Sequence, residues 1–209
     1  MPSKKVIMVV SREVLFQSGC FHGFVQKRFS GDFEDVILKN HLFMARDEAE
    51  SNPKFKQPIA YIVIVNPVTR KVFVFRRSNR DDRYPEKRLQ GKLSCGVGGH
   101  LEQQDTQEGN PIRLGATREL GEEVIIEGSS EIVPIGFIND DSDDVGKVHF
   151  GVVYLVKTQA TRVQPKDPEV ESGSYYSLEE LDQLMQSSDV VIENWSRLII
   201  NQMRDILNL

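Results

Sequence analysis

The chain is poor in cysteine and tryptophan, has no long apolar runs, and carries no surplus of positive charge. Each lack closes off a class of protein. Cys20 and Cys95 stand too far apart to form a metal-ligand pair, and two thiols do not make the disulfide framework of a small secreted domain. Free thiols in a reducing compartment are the expectation. No apolar stretch approaches the roughly 20 residues that a membrane-spanning helix needs. Lys4-Lys5 precede the apolar residues 6–10, but that run is too short for a secretory core and gives way to Ser11-Arg12-Glu13. The chain therefore reads as cytoplasmic, with no membrane contact. A formal net charge of −5, from 26 basic and 31 acidic residues, offers no broad electrostatic footprint for nucleic acid. What remains, at 209 residues, is a globular chain long enough to bury a substantial core.

The most telling stretch is Arg118-Glu119-Leu120-Gly121-Glu122-Glu123. Asn110-Pro111 is a helix start, with Asn as cap and Pro in the first turn, and predicts a helix over 111–124. On that helix Glu119, Glu122 and Glu123 stand at i, i+3 and i+4, on one face. Adjacent carboxylates raise one another's proton affinity unless a cation sits among them. Upstream runs Cys95-Gly96-Val97-Gly98-Gly99-His100, a glycine-rich turn. A glycine turn leading to a carboxylate-lined helix suits a hard ion such as Mg²⁺, which takes oxygen ligands and bridges to substrate phosphates.

The rest of the pattern is α/β. Residues 6–10 and 14–16 predict short strands, and 33–50 a helix, before the break at Ser51-Asn52-Pro53. The continuous apolar run 60–65 predicts a buried strand, Asn66-Pro67-Val68-Thr69 a turn, and 71–76 a second strand. A charged loop over 76–83 holds Arg76, Arg77, Arg80 and Arg83, whose guanidinium forks match phosphate oxygens. Strands are predicted over 132–138 and 145–156, joined by an acidic loop. Ser177-Leu178-Glu179-Glu180 is a capping box. The C-terminal stripe Trp195, Leu198, Ile199, Met203, Ile206 and Leu207 is core packing on a helix.

With its elements in this order, the chain resembles the Nudix hydrolase family. The family's box is Gly, five residues, Glu, seven residues, then Arg-Glu, an aliphatic residue, any residue, Glu-Glu, any residue, Gly and an aliphatic residue. Gly99 begins it, Asp105 stands where its first Glu belongs, and residues 118–123 match its second half completely. Ile125 replaces the last Gly, and Ile126 fits the closing aliphatic position. Twelve residues rather than seven separate Asp105 from Arg118, which the loop 106–109 can absorb. Counting back from Arg118 instead puts Asn110 at the first-Glu position, so Asp105, Glu108 or neither fills that role.

The resemblance implies an α/β/α sandwich around a mixed sheet over 57–209, with an N-terminal α+β extension over 1–56 packed on it. It implies a hydrolase of a nucleoside diphosphate linked to another moiety, using Mg²⁺ with Mn²⁺ as an alternative. Glu119, Glu122 and Glu123 would be catalytic and hold the metal, with the Gly99 carbonyl, while Arg118 would be structural and orient Glu122. A further acid outside the box is expected from Asp140, Asp141, Asp143 and Asp144, or from Glu169 and Glu171. Arg76, Arg77 and His100 are the substrate-binding candidates, and the partner is a nucleotide-derived small molecule. His149 reads as a core or cleft histidine, and Cys95 as a buried small residue. By analogy with dimeric members, the extension suggests a homodimer.

Two other readings stay open. A Nudix-like module that binds a nucleotide or a protein without catalysis would tolerate the stretched box. An isopentenyl-diphosphate-isomerase-like enzyme would use a cysteine just before a Gly-His pair, where this chain has Gly98 and holds Cys95 three residues earlier.

Overall fold

A computed structural model describes residues 5–79, 89–107 and 109–207. Arg80, Arg83 and Glu108, candidates by sequence, lie outside the described residues. The apolar N-terminal run is a strand, β1 (Val6–Ser11), with four consecutive buried residues. A strand was expected at 14–16, but the chain forms one helical turn there, α1 (Arg12–Leu15). The turn buries Leu15 and sets Phe16 edge-on to Phe33 and Phe150, with centroids 6.2 and 5.9 Å away. Strand β2 (Gly23–Gln26) follows.

The helix expected over 33–50 is divided. Helix α2 (Phe33–Asn40) ends where Asn40 Nδ2 donates back to the Val36 carbonyl at 2.8 Å and His41 turns extended. Strand β3 (Leu42–Ala45) then pairs antiparallel with β1, Val9 opposite Leu42 and Val6 opposite Ala45. One more helical turn, α3 (Arg46–Ala49), closes the segment. Pairing with a distant strand overrides the helical spacing of Leu42 and Met44.

Further along, the predicted order holds with small shifts. Strand β4 (Phe55–Asn66) turns through Asn66, whose Oδ1 accepts from the Val68 and Thr69 amides at 3.0 and 3.1 Å. It returns as β5 (Lys71–Arg77), and two short strands, β6 (Leu93–Ser94) and β7 (Gly96–Val97), precede the glycine turn. Helix α4 (Pro111–Glu123) carries the carboxylates, and its start is as predicted. Asn110 Oδ1 accepts from the Ile112 and Arg113 amides at 2.9 and 3.2 Å. After β8 (Val124–Ile126) and β9 (Ser130–Asn139), Asp143 caps a helical turn, α5 (Asp144–Val148), accepting from the Gly146 amide at 2.7 Å. The strand expected from 145 therefore starts at 149, as β10 (His149–Thr158). Strands β11 (Val163–Pro165) and β12 (Val170–Ser177) lead into α6 (Leu178–Gln186), where the capping box is complete. Helix α7 (Asn194–Ile206) buries Ile199, Ile200 and Met203.

The chain divides into two compact units. The first comprises Met1–Tyr61, Gly98–Glu119 and Pro134–Tyr154. Its core joins Ile7, Val9 and Ala49, with Met44 and Phe55 packed against them. A second cluster gathers Phe16, Phe21, Phe33, Phe137 and Phe150, each ring within 6.2 Å of a neighbour. Here β2 pairs antiparallel with β9, Gly23 opposite Asn139. Lys56 is wholly buried, and its ammonium donates to Asp141 Oδ1 (2.7 Å) and to the carbonyls of Gly146 (2.7 Å) and His149 (3.0 Å). Burial lowers the Lys56 pKa. Burial would raise that of Asp141, but hydrogen bonds from Arg12 and Lys56 outweigh it and hold the carboxyl below its ordinary value.

The second unit comprises Ile62–Val97, Leu120–Val133 and Leu155–Leu209. In it β12 pairs antiparallel with β5, and β5 with β4. Strand β7 flanks β4, β6 flanks β5, and β8 with β11 makes a separate pair. Arg77, at the end of β5, is buried, with its Nε donating to Glu193 and its guanidinium over the Phe75 ring.

Candidate active site

Helix α4 can approach the turn before it because its first face is small. A Cβ on Gly115 would lie 2.4 Å from Leu101 Cδ2 and 2.9 Å from Asp105 Oδ2. Asp105 is buried in a 3₁₀ turn, Gln103–Thr106, where its Oδ2 accepts from the Glu102 amide at 2.7 Å. Arg118 reaches across from the helix. Its Nε donates to Asp105 Oδ1 at 2.9 Å and its Nη2 to Asp105 Oδ2 at 3.0 Å, a two-pronged match of guanidinium to carboxylate. The same Nη2 donates to the His100 carbonyl at 3.0 Å, and Nη1 to Glu119 Oε1 at 2.7 Å. The hydrogen bond to Asp105 raises the Arg118 pKa above its ordinary value. One guanidinium therefore braces the glycine turn, the 3₁₀ turn and the first carboxylate of the helix.

Gly98 adopts a positive φ of 125°, which favours glycine. At Gly99 the constraint is space. A Cβ there would stand 2.8 Å from Glu119 Oε2 and 2.9 Å from its Cδ, so the carboxylate lies directly against the Gly99 backbone. The Gly99 carbonyl accepts from the Ala60 amide at 3.0 Å and keeps a second lone pair. Because the clash is with the far end of a side chain, Gly99→Ala is expected to fold normally while displacing Glu119. Circular dichroism indistinguishable from that of the wild-type chain is the expected result.

Glu122 is exposed and Glu123 half-buried on the last turn of the same helix. That end is held by Lys166, whose amide donates to the Glu123 carbonyl at 2.8 Å and whose ammonium donates to the Gly121 carbonyl at 2.7 Å. A cation there also complements the helix dipole.

Other expected site residues are engaged elsewhere. Arg76 Nη1 donates to the Gly91 carbonyl at 2.8 Å, and Arg77 is paired with Glu193. In the acidic pool, Asp141 is bound by Lys56 and Arg12, Asp143 caps α5, Asp144 pairs with Lys147, and Asp140 Oδ1 accepts from the Ser142 amide. Cys95 is 2 % exposed, with its amide donating to Ser196 Oγ at 3.0 Å.

His100 and His149 meet in the first unit. Burial lowers both pKa values, with each other's charge a further cause for His100, so both rings are held neutral. Glu50 and Gln57, which no motif marks, stand beside them. The four residues sit on or beside separate elements, so no local spacing in the sequence signals their meeting.

The NUDIX domain family model matches residues 55–195. Protein YmaB of Bacillus subtilis (strain 168) is 36% identical over 168 residues, covering 76% of this chain and 76% of that protein. The crystal structure of Tm1382, a candidate Nudix hydrolase, superposes with a TM-score of 0.72 at 27% identity, covering 98% of this chain and 99% of that one. The NUDIX domain of NrtR from Shewanella oneidensis, solved with ADP ribose, has a TM-score of 0.51 at 17% identity, over 73% of this chain and 88% of that one. The fold is the expected α/β arrangement of helices with a central mixed sheet. Among the described residues, no helix is long and apolar enough to cross a membrane. With the family model covering well over half its length, a relative 36% identical, and Arg118 holding Glu119 against Gly99, the chain belongs to the Nudix family.

Proposed function

We propose that this chain is a Mg²⁺-dependent pyrophosphohydrolase that cleaves a diphosphate linkage in a nucleoside diphosphate derivative. The observation that carries this reading is the braced carboxylate: Arg118 fixes Glu119 against Gly99, at the head of a helical face that continues to Glu122 and Glu123. The donor set, three carboxylates and a backbone carbonyl, is all oxygen and fits Mg²⁺, with Mn²⁺ as a substitute. When bound, the ion neutralises charge on the diphosphate.

The protein residues do the rest. Arg118 orients Glu119, and its anchor on Asp105 keeps the glycine turn in register with the helix. Glu122 and Glu123 complete the anionic face, and one of them takes the proton from the attacking water. Arg76 and Arg77 bind substrate phosphates. Glu193 holds Arg77 through Nε, and the Gly91 carbonyl holds Arg76 through Nη1. The ADP ribose bound by the NrtR domain supports a nucleotide-derived ligand. The free thiols of Cys20 and Cys95 fit a cytoplasmic enzyme, and residues 1–56 form an extension available for a homodimer.

The test is a panel of ADP-ribose, NADH, nucleotide sugars, CoA, dinucleoside polyphosphates and modified nucleoside triphosphates, scored for phosphate-containing products with and without Mg²⁺. Metal-dependent cleavage of at least one between its phosphoryl groups is expected. No cleavage of any, with tight binding of one, would favour the non-catalytic module.

A further inference from the structure

In the first unit, beyond the carboxylate helix, four polar side chains converge with their acceptor atoms inward. His149 Nδ1 lies 2.6 Å from the Val145 carbonyl, which can only accept, so Nδ1 carries the proton and Nε2 presents its lone pair. That Nε2 stands 3.3 Å from His100 Nε2. His100 Nε2 is in turn 2.8 Å from Gln57 Oε1. Glu50 Oε1 lies 3.9 Å from His149 Nε2 and 4.0 Å from His100 Nε2. The histidine side chains are about nine-tenths buried. Among the described residues, Glu50 Oε2 and Gln57 Nε2 are buried polar atoms with no hydrogen-bond partner.

As a purely hydrogen-bonded cluster this arrangement leaves its polar atoms unmatched. The His149 lone pair and the Glu50 carboxylate face a single ring proton, that of His100 Nε2 in one of its tautomers, while the amide nitrogen of Gln57 has no partner. Arg46 Nε, 3.4 Å from Glu50 Oε1, adds one long contact at the rim. Buried acceptors without donors are costly, and a cation is what such a set lacks. The spacing fits one. Two imidazole nitrogens each about 2.0–2.1 Å from a tetrahedral ion stand roughly 3.3 Å apart, the separation of the two Nε2 atoms here. The carboxylate needs to close in by about half an ångström, within the reach of a flexible side chain. The outer contacts are also those of metal ligands: His149 is oriented by a backbone carbonyl and Glu50 by an arginine.

We propose that Glu50, His100 and His149 form a binding site for a borderline divalent transition ion of the Zn²⁺ kind, separate from the all-oxygen site of the carboxylate helix. Imidazole nitrogen selects Zn²⁺ and its neighbours over Mg²⁺, so the two sites sort ions by donor chemistry. The ion would tie α3, the residue after the glycine turn and the first residue of β10 together. His100 then acts as a ligand that fixes the turn bearing Gly99, and not as a substrate-edge residue.

The experiment uses the full chain, stripped by chelator and titrated with Co²⁺ in excess Mg²⁺. Cobalt's visible ligand-field absorption is intense in a four-coordinate nitrogen and oxygen site and weak in an octahedral oxygen site. One equivalent of intensely absorbing Co²⁺ is expected, displaced by one equivalent of Zn²⁺. Glu122→Gln/Glu123→Gln should retain it, while His149→Ala and Glu50→Gln should lose affinity more than about 100-fold, beyond the loss seen for supporting residues. Circular dichroism of each variant, with His100→Gln as a milder change, separates ligand loss from unfolding. The proposal is overturned if the wild-type chain shows only the weak octahedral signal. It is equally overturned if folded His149 and His100 variants keep the absorption, or if the carboxylate-helix variant loses it.

Discussion

Glutamine at position 122 or 123 is expected to lower Mg²⁺-dependent kcat/KM by about 10²–10⁴-fold, the span associated with losing a positioned base or a charge at the reacting centre. The substitution keeps the shape of the side chain and removes its charge, so it tests electrostatics with little else changed. Glu122 is exposed, and exchanging it should change stability by no more than about 0.5 kcal/mol. Glu119 is less clean: the residue is 8 % exposed and its carboxylate is bonded to Arg118, so Glu119→Gln should cost stability as well as rate. Raising Mg²⁺ divides the roles of the other two. A variant whose rate recovers at high metal has lost a ligand, and one whose rate stays low has lost the base. Turnover unchanged from wild type in all three variants would sink the hydrolytic assignment.

Lys56→Met is expected to destabilise the fold by about 2–6 kcal/mol, the cost of leaving two buried carbonyls without their donor, and more than any of the glutamate exchanges. For a chain of this size that corresponds to a fall in Tm of roughly 10 °C. Methionine fills much of the space but cannot donate. It leaves the Gly146 and His149 carbonyls, now served at 2.7 and 3.0 Å, without their buried donor. Asp141 would still have Arg12, so the loss centres on the two carbonyls. Arg12→Ala is the contrast: its pairing is one-third exposed, and about 1 kcal/mol or less is at stake. Acid should narrow the gap between wild type and Asp141→Asn. The folded pKa of Asp141 is lowered, so its contribution is present above the ordinary carboxylate value and is lost as pH falls through the folded one. Thermal melts of the variants across pH check both statements. A Lys56→Met variant as stable as wild type would show that the ammonium is not what holds the start of β10.

The helix that carries the candidate carboxylates was legible because it is local. Glu119, Glu122 and Glu123 share one helix, and the cap at Asn110 placed that helix correctly. The stretched box was ambiguous at its first acid because spacing alone ranked Asp105 no higher than its neighbours. In the structure Asp105 accepts a two-pronged bond from Arg118 across the inserted residues, a contact that spacing could not signal. Elements that depend on distant partners were misread. Residues 14–16 are apolar enough for a strand but turn to deliver Phe16 to the phenylalanine cluster. Residues 42–45 have helical spacing but pair with β1. The histidine cluster was least legible, since Glu50, Gln57, His100 and His149 meet only through tertiary folding.

The contact between Gly99 and the Glu119 carboxylate links two positions twenty residues apart along the motif. Any side chain at 99 and a full-length acid at 119 compete for one volume. The pair is therefore coupled: a larger residue at 99 displaces the acid at 119, and shortening that acid removes the conflict. Among relatives, substitutions at these two positions should arrive together or not at all, and a chain that keeps the acid while losing the glycine would have to hold its carboxylate in a different place.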